Sequence, residues 1–298
     1  MSLVPHATEL LFALELDDEV VGVTHECDYP WAATELPKVT RDRLPNDGSA
    51  REIDAAVRGL TAKSESIYEL DQQALRDLQP DLIVTQELCT VCAVSAADVE
   101  RFAQTLDPVP EVVTLDPHTL GEALGDIRTV AGRTDRKDEG VDLVEELAGR
   151  IDRVRLASRG LDRPRVLAVE WLDPLFIGGH WVPQLIDYAG GEDVLGLPGE
   201  RSEVFDWEVA RATQPEVVLV MPCGRTADEA RTEALEHWDK LASLGASRVI
   251  AVEANAYFSR PGPRLVDGLE LLSALLHPTT GIEAPEGSWH ELGSGVAS

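Results

Sequence analysis

Cys89-Thr-Val-Cys92 places two sulfurs at the spacing used by half a zinc site or by a redox dithiol. A second stretch, His25-Glu26-Cys27, would complete a four-ligand set if the fold brings the two together. Three functions are open to Cys89, Cys92, Cys27 and His25: a metal site, a redox pair, or a thiolate ligand to cobalt or iron. A structural reading stands beside them, buried thiols or a disulfide between loops, because no second CxxC accompanies the first. With Cys223 the chain has four cysteines, too few for a disulfide scaffold, and a chain of 298 residues needs none. Other nucleophiles lack partners. Ser95 and Ser259 have no evident base, and Glu145-Glu146 falls on the polar face of a helical pattern. There is no P-loop, no GxGxxG after a strand, no GxSxG and no HExxH. The chain is therefore expected to be no enzyme, and a metal- or thiol-dependent enzyme built on the Cys/His set is the rival reading.

Aromatic side chains offer a different chemistry. Glu170–Gly191 reads EWLDPLFIGGHWVPQLIDYAGG and follows the apolar run Val166–Val169. Trp171, Phe176 and Trp181 crowd just beyond that run, with His180 among them. Large stiff rings past a strand end suit the wall of a pocket, because each offers area at low entropic cost. Taken singly, each ring is equally at home in a core.

The elements that would position these groups are βα units. Glu19–Thr24, Leu82–Thr85, Glu111–Leu115, Val166–Val169, Val217–Met221 and Val249–Val252 read as strands, with helical patterns such as Asp71–Leu78 and Ala97–Leu106 between them. Such alternation predicts an α/β fold with mainly parallel sheets. From His118 to about Leu161 apolar residues recur at helical spacing without proline, which predicts one long helix or two in line. Leu70–Val84 (LDQQALRDLQPDLIV) and Phe205–Leu219 (FDWEVARATQPEVVL) echo each other at a constant offset, Asp71 with Asp206, Gln79 with Gln214 and Pro80 with Pro215. The echo predicts two similar Rossmann-like lobes. The expected organisation is an N-terminal lobe over 1–117, a linker helix over 118–162, a C-terminal lobe over 163–283 and a loose polar tail over 284–298.

Ligands of parallel α/β sheets bind beyond the carboxyl ends of the strands. There the sequence sets His25, Glu26, Tyr29 and Trp31, then Gln86 and Cys89, then Trp171 and Phe176, and finally Tyr257, Phe258 and Arg260. A stiff helix between two lobes would leave a cleft walled by these residues.

A net charge of −28, from 54 acidic and 26 basic residues, disfavours nucleic-acid phosphates and anionic lipid as partners. Only four basic residues are lysine, which fits either adaptation to high salt or a plainly soluble surface. No run approaches the length of a membrane span, so no membrane insertion is expected. The N-terminus carries no basic leader or cleavage site. The chain as given reads as cytoplasmic, or as extracytoplasmic if its native start lies upstream.

Five stretches carry a family resemblance: SLVPHATELLFALEL, VVGVTHECDYP, LQPDLIV, PLFIGGHWVPQLIDYAGGEDV and YFSRPGPRLVDGLELLSALLHP. Over about residues 1–278 the chain resembles the substrate-binding proteins of ABC importers for cobalamin, iron–siderophore complexes and haem. It looks most like the cobalamin-binding branch. The resemblance implies two lobes joined by one backbone helix, a monomer, no required cofactor, and a bound corrinoid or metal chelate on which no chemistry is done. Tyr29, Trp171, Trp181, Tyr257 and Phe258 would stack on the macrocycle. Glu26 and Arg260 would meet polar groups at its edge. His180 would either bind the axial face of cobalt or donate a hydrogen bond. The family docks on its permease through one glutamate per lobe. Glu208 fits that place in the second lobe, whereas the first lobe has Gln73 there, with Glu65 and Glu69 nearby.

Overall fold

A computed structural model describes residues 1–43, 59, 67–88 and 94–293. The chain divides into two compact units, one of Met1–Pro117 with Gly125–Leu143, the other of His118–Leu124 with Val144–Ser298.

In the first unit the chain start is itself a sheet member. Ser2 bridges Val84 in parallel, and Leu3 N–H donates to Val84 O at 2.8 Å. Pro5, whose fixed φ suits a first helical position, then opens α1 (Pro5–Ala13). The expected strand Glu19–Thr24 is nearly absent. Asp17–Glu19 form a 3-10 turn, and only Gly22 and Val23 join the sheet: Ser2 N–H donates to Gly22 O, and Val23 bridges Lys38 in parallel. The short helix α2 (Trp31–Thr34) follows, then β1 (Thr40–Asp42), which pairs antiparallel with β2 (Tyr68–Leu70). Next come α3 (Gln72–Leu78), β3 (Leu82–Gln86), α4 (Ala96–Ala103) and β4 (Glu111–Leu115). β3 and β4 run parallel in the register Leu82 to Glu111 through Gln86 to Leu115. Met1, Leu3, Val39, Leu75, Ile83, Val99 and Phe102 share one buried cluster, which fixes α3 and α4 against these strands.

Two helices, α5 (Leu120–Arg133) and α6 (Lys137–Ala157), replace the expected single rod or in-line pair. Asp135 takes a left-handed backbone (φ 55) between them. The chain folds back there: a Cβ on Gly140 would lie 2.5 Å from Ala131 Cβ, so glycine permits the close approach of α6 to α5. Helical periodicity alone cannot reveal a reversal made by one residue.

The second unit is built on a seven-stranded sheet. Its strands are β5 (Arg165–Leu172), β6 (Leu175–Ile177), β7 (Glu192–Asp193), β8 (Glu203–Val204), β9 (Val217–Val220), β10 (Arg248–Val252) and β11 (Trp289–Gly293). The order is β11-β10-β9-β5-β6-β8, with β7 beside the first residues of β5. β10, β9, β5 and β7 are parallel, and the remaining pairings are antiparallel. Leu167, Val169, Val218, Val220 and Val249 are wholly buried, as parallel strands covered on both faces require. The helices are α7 (Val182–Tyr188), α8 (Trp207–Ala212), α9 (Ala227–Glu236), α10 (Trp238–Ala242), α11 (Ala254–Tyr257) and α12 (Leu265–Leu276). The tail expected to be loose instead supplies β11, an edge strand antiparallel to β10.

The sequence echo is structural. Asp71 and Asp206 are the N-cap residues of α3 and α8. Gln79 and Gln214 both turn left-handed (φ 44 and 50) before the prolines that lead to β3 and β9.

Candidate ligand-binding rims

At the rim of the first unit, His25 follows the paired residue Val23. Its Nδ1 lies 2.8 Å from Thr40 Oγ1, which also receives the His25 backbone N–H. The imidazole meets the Tyr68 ring edge-on, centroids 4.9 Å apart, and the Tyr68 hydroxyl donates to the Glu26 carboxylate. His25, Glu26 and Tyr68 thus form one group joined by a hydrogen bond and an edge-to-face ring contact. Tyr68 was not among the sequence candidates, because β2 pairs antiparallel and lies outside the βα pattern. Tyr29, in the next loop, and Trp31, the first residue of α2, are 48% and 78% exposed. Lys38 fastens that loop from beneath, its ammonium donating to Cys27 O at 3.3 Å and Ala33 O at 2.9 Å. Gln86 closes β3 and is buried.

The proposed metal set loses Cys27. Its sulfur points inward, 3.0 Å from Thr8 Oγ1 and 3.2 Å from Thr24 Oγ1, and burial pushes the thiol up, away from the thiolate that metals need. His25 Nδ1 is already engaged by Thr40. Cys89 and Cys92 lie outside the described residues, and among the described residues no group of three His, Cys, Asp or Glu side chains could hold a metal.

At the rim of the second unit, β5 carries a bulge between Val169 and Trp171 where it pairs with β6. The extra residue re-aims the strand end. Trp171 emerges 38% exposed opposite a half-buried Phe176. The other expected wall rings turn inward. Trp181 and Phe258 are each 4% exposed, and the indole N–H of Trp181 donates to Phe258 O at 2.8 Å. A ring whose polar atom is satisfied inside the fold is a core residue. Arg260 is buried as well, and Tyr257 is half-buried.

His180 stands on a left-handed backbone (φ 52), with its N–H donating to Glu200 O at 2.5 Å and its carbonyl accepting from Gly199 N–H at 2.9 Å. Its ring lies 5.4 Å from that of His118 and 5.5 Å from that of Trp181, and its Nε2 is shielded from solvent. That shielding does not favour Nε2 as an axial ligand. Asp193, the last residue of β7, accepts backbone N–H groups of Leu195 at 3.0 Å and Gly196 at 2.6 Å, while burial pushes its carboxyl up to about 6. Glu208, at the start of α8, is exposed and pairs with Arg211. Gln73, its counterpart on α3, hydrogen-bonds Asp77 at 2.8 Å.

Residues 2–251 match the family described as periplasmic binding proteins. The vitamin B12-binding protein of Vibrio parahaemolyticus is 22% identical over 272 residues, covering 90% of this chain and 86% of that one. Among solved structures, a periplasmic haem-binding protein from Pseudomonas aeruginosa superposes with a TM-score of 0.72 at 18% identity, covering 100% of this chain and 98% of that one. The periplasmic vitamin B12-binding protein of Vibrio cholerae gives 0.67 at 19% identity, covering 94% and 96%. A mainly parallel second sheet, a repeated helix–turn–strand and a match over most of the length agree: the chain belongs to the periplasmic binding protein family, whose members are substrate-binding proteins of the ABC import type rather than enzymes.

Proposed function

We propose that this protein binds a cobalamin-like corrinoid as the substrate-binding component of an ABC importer. The observation that carries the reading is the aromatic rim of the first unit. Tyr29, just before α2, and Trp31, its first residue, are exposed on a segment that Lys38 holds and that follows the His25–Tyr68–Glu26 group. A Trp 78% exposed leaves a large apolar face in water, a cost that a flat apolar macrocycle removes by stacking. The His25, Glu26 and Tyr68 side chains supply the few polar contacts that orient such a ligand. Within the second unit, Trp171 and Phe176 are proposed as ligand contacts at the end of β5. Trp181, Phe258 and Arg260 are buried and are not proposed as ligand contacts. The relatives named for vitamin B12 favour the corrinoid. Haem is the second reading, favoured by the likeness to a haem-binding protein over the whole chain. Glu208 is proposed to meet a permease.

Visible-absorbance titration tests both readings. With cyanocobalamin the expected result is saturable 1:1 binding, with the ligand recovered unchanged. Saturable binding of hemin alone transfers the proposal to haem. Binding of neither, or chemical turnover of either, removes it.

A further inference from the structure

We propose that Glu170 is the positioning residue of the second rim, a buried carboxyl that joins the β5 bulge to the Gly178–Trp181 turn and to the 199–202 segment. Its consequence for binding rests on the reading of Trp171 as a ligand contact.

Three pieces of chain meet at this carboxyl. The first is the bulge itself, where Glu170 lies between Val169, wholly buried, and Trp171, exposed. The second is the turn, whose Gly179 N–H donates to the carboxyl. The third is the 199–202 segment, whose Ser202 hydroxyl donates to Glu170 Oε2. Glu170 O also accepts the Cys223 N–H at 3.3 Å, which ties the segment after β9 to the same residue.

The turn and the segment touch backbone to backbone. A Cβ on Gly179 would lie 2.4 Å from Ser202 N and 2.6 Å from Glu200 O. His180 sits left-handed between Glu200 O and Gly199 N–H. Two segments this close, outside any regular ladder, need a fixed partner for the polar groups they bury. Glu170 is that partner.

An apolar residue at 170 would orphan two donors, the N–H of buried Gly179 and the hydroxyl of half-buried Ser202, so the position demands an acceptor. It does not demand a charge. Burial pushes the Glu170 carboxyl up, toward the protonated form. A protonated carboxyl, like a glutamine amide, still accepts from Gly179 and can donate to Ser202, whose hydroxyl reverses freely. The sequence places a glutamate at this strand end, but only the bulge reveals that it points inward while its neighbour points out.

Hydrogen exchange on the unliganded protein reads the inference directly. Glu170→Ala should accelerate exchange in segments 176–182 and 199–204 by roughly tenfold, the scale of a lost buried hydrogen bond, with β9 and β10 unchanged. Glu170→Gln should stay within about threefold of wild type in both segments. Ser202→Ala removes one donor only and should give a smaller acceleration confined to the same segments. Equal acceleration everywhere, no acceleration, or a glutamine variant as loose as alanine would overturn the positioning role. In parallel, cyanocobalamin affinity should fall severalfold in Glu170→Ala and be restored in Glu170→Gln. If wild type binds no cyanocobalamin the corrinoid reading fails, and the exchange data still decide the role of Glu170.

Discussion

The rims of the two units are built from similar residues and use them in opposite ways. In the first, Tyr29 and Trp31 project into solvent at the start of α2. In the second, Trp181 and Phe258 fold inward and bond to each other, leaving Trp171 as the main exposed ring. Residue type at a strand end therefore does not decide between wall and core. What decides is whether the polar atom of the ring finds a partner inside. The Trp181 indole N–H finds Phe258 O, and its burial follows.

The largest test of this contrast is Trp181→Ala. Truncating a buried indole and orphaning Phe258 O should cost about 3–5 kcal/mol in chemical denaturation. A cost near zero would return Trp181 to the surface and erase the difference between the rims.

Asp193 extends the contrast electrostatically, because the second unit buries a carboxyl where the first exposes rings. Its carboxyl is raised from 3.8 to about 6 by burial. Between about pH 4 and 6 the folded protein holds a proton that the unfolded chain has released. Stability contributed by this group is thus present below about pH 4 and lost as pH rises through about 6. The loss amounts to at most about 3 kcal/mol. Asp193→Asn should flatten the stability profile in that window and leave it unchanged below it. Parallel profiles for variant and wild type would show that Asp193 ionises at its ordinary value.

The two repeats give a finer comparison. Asp71 accepts from the backbone N–H groups of Gln73 and Ala74 at 3.1 and 3.0 Å. Asp206 makes no side-chain cap bond. Asp71→Ala should cost about 1 kcal/mol and Asp206→Ala only a few tenths. Equal costs would mean that the caps are alike in solution.

These repeats also show how much of the fold the sequence discloses. Cap, breaker and apolar run are local signals, so α3, β3, α8 and β9 are legible, and so are β4, β5 and β10. The Glu19–Thr24 run looks like a strand because Val20, Val21 and Val23 are β-branched, yet only Gly22 and Val23 pair. Glu19 is drawn into the 3-10 turn at Asp17–Glu19, and Val20 N–H donates back to Leu16 O at 3.2 Å. β11 is illegible for the opposite reason. Trp289–Gly293 has little apolar content and pairs only as an edge. Of the rim residues, His25, Glu26, Tyr29 and Trp31 follow from their place after the Val23 run. Tyr68 and Lys38 do not, since their roles depend on contacts across a distance in sequence. The inward turn of Trp181 is likewise fixed by a carbonyl 77 residues away.

The most direct measurement compares cyanocobalamin affinity in the Tyr29→Ala/Trp31→Ala variant with wild type, by absorbance titration alongside thermal melting. Both side chains are exposed, so melting should move by no more than the equivalent of about 0.5 kcal/mol. Affinity should fall by roughly tenfold or more as two stacking faces are lost. Unchanged affinity at unchanged stability would contradict the account, because the exposed aromatic rim would then have no part in holding the ligand.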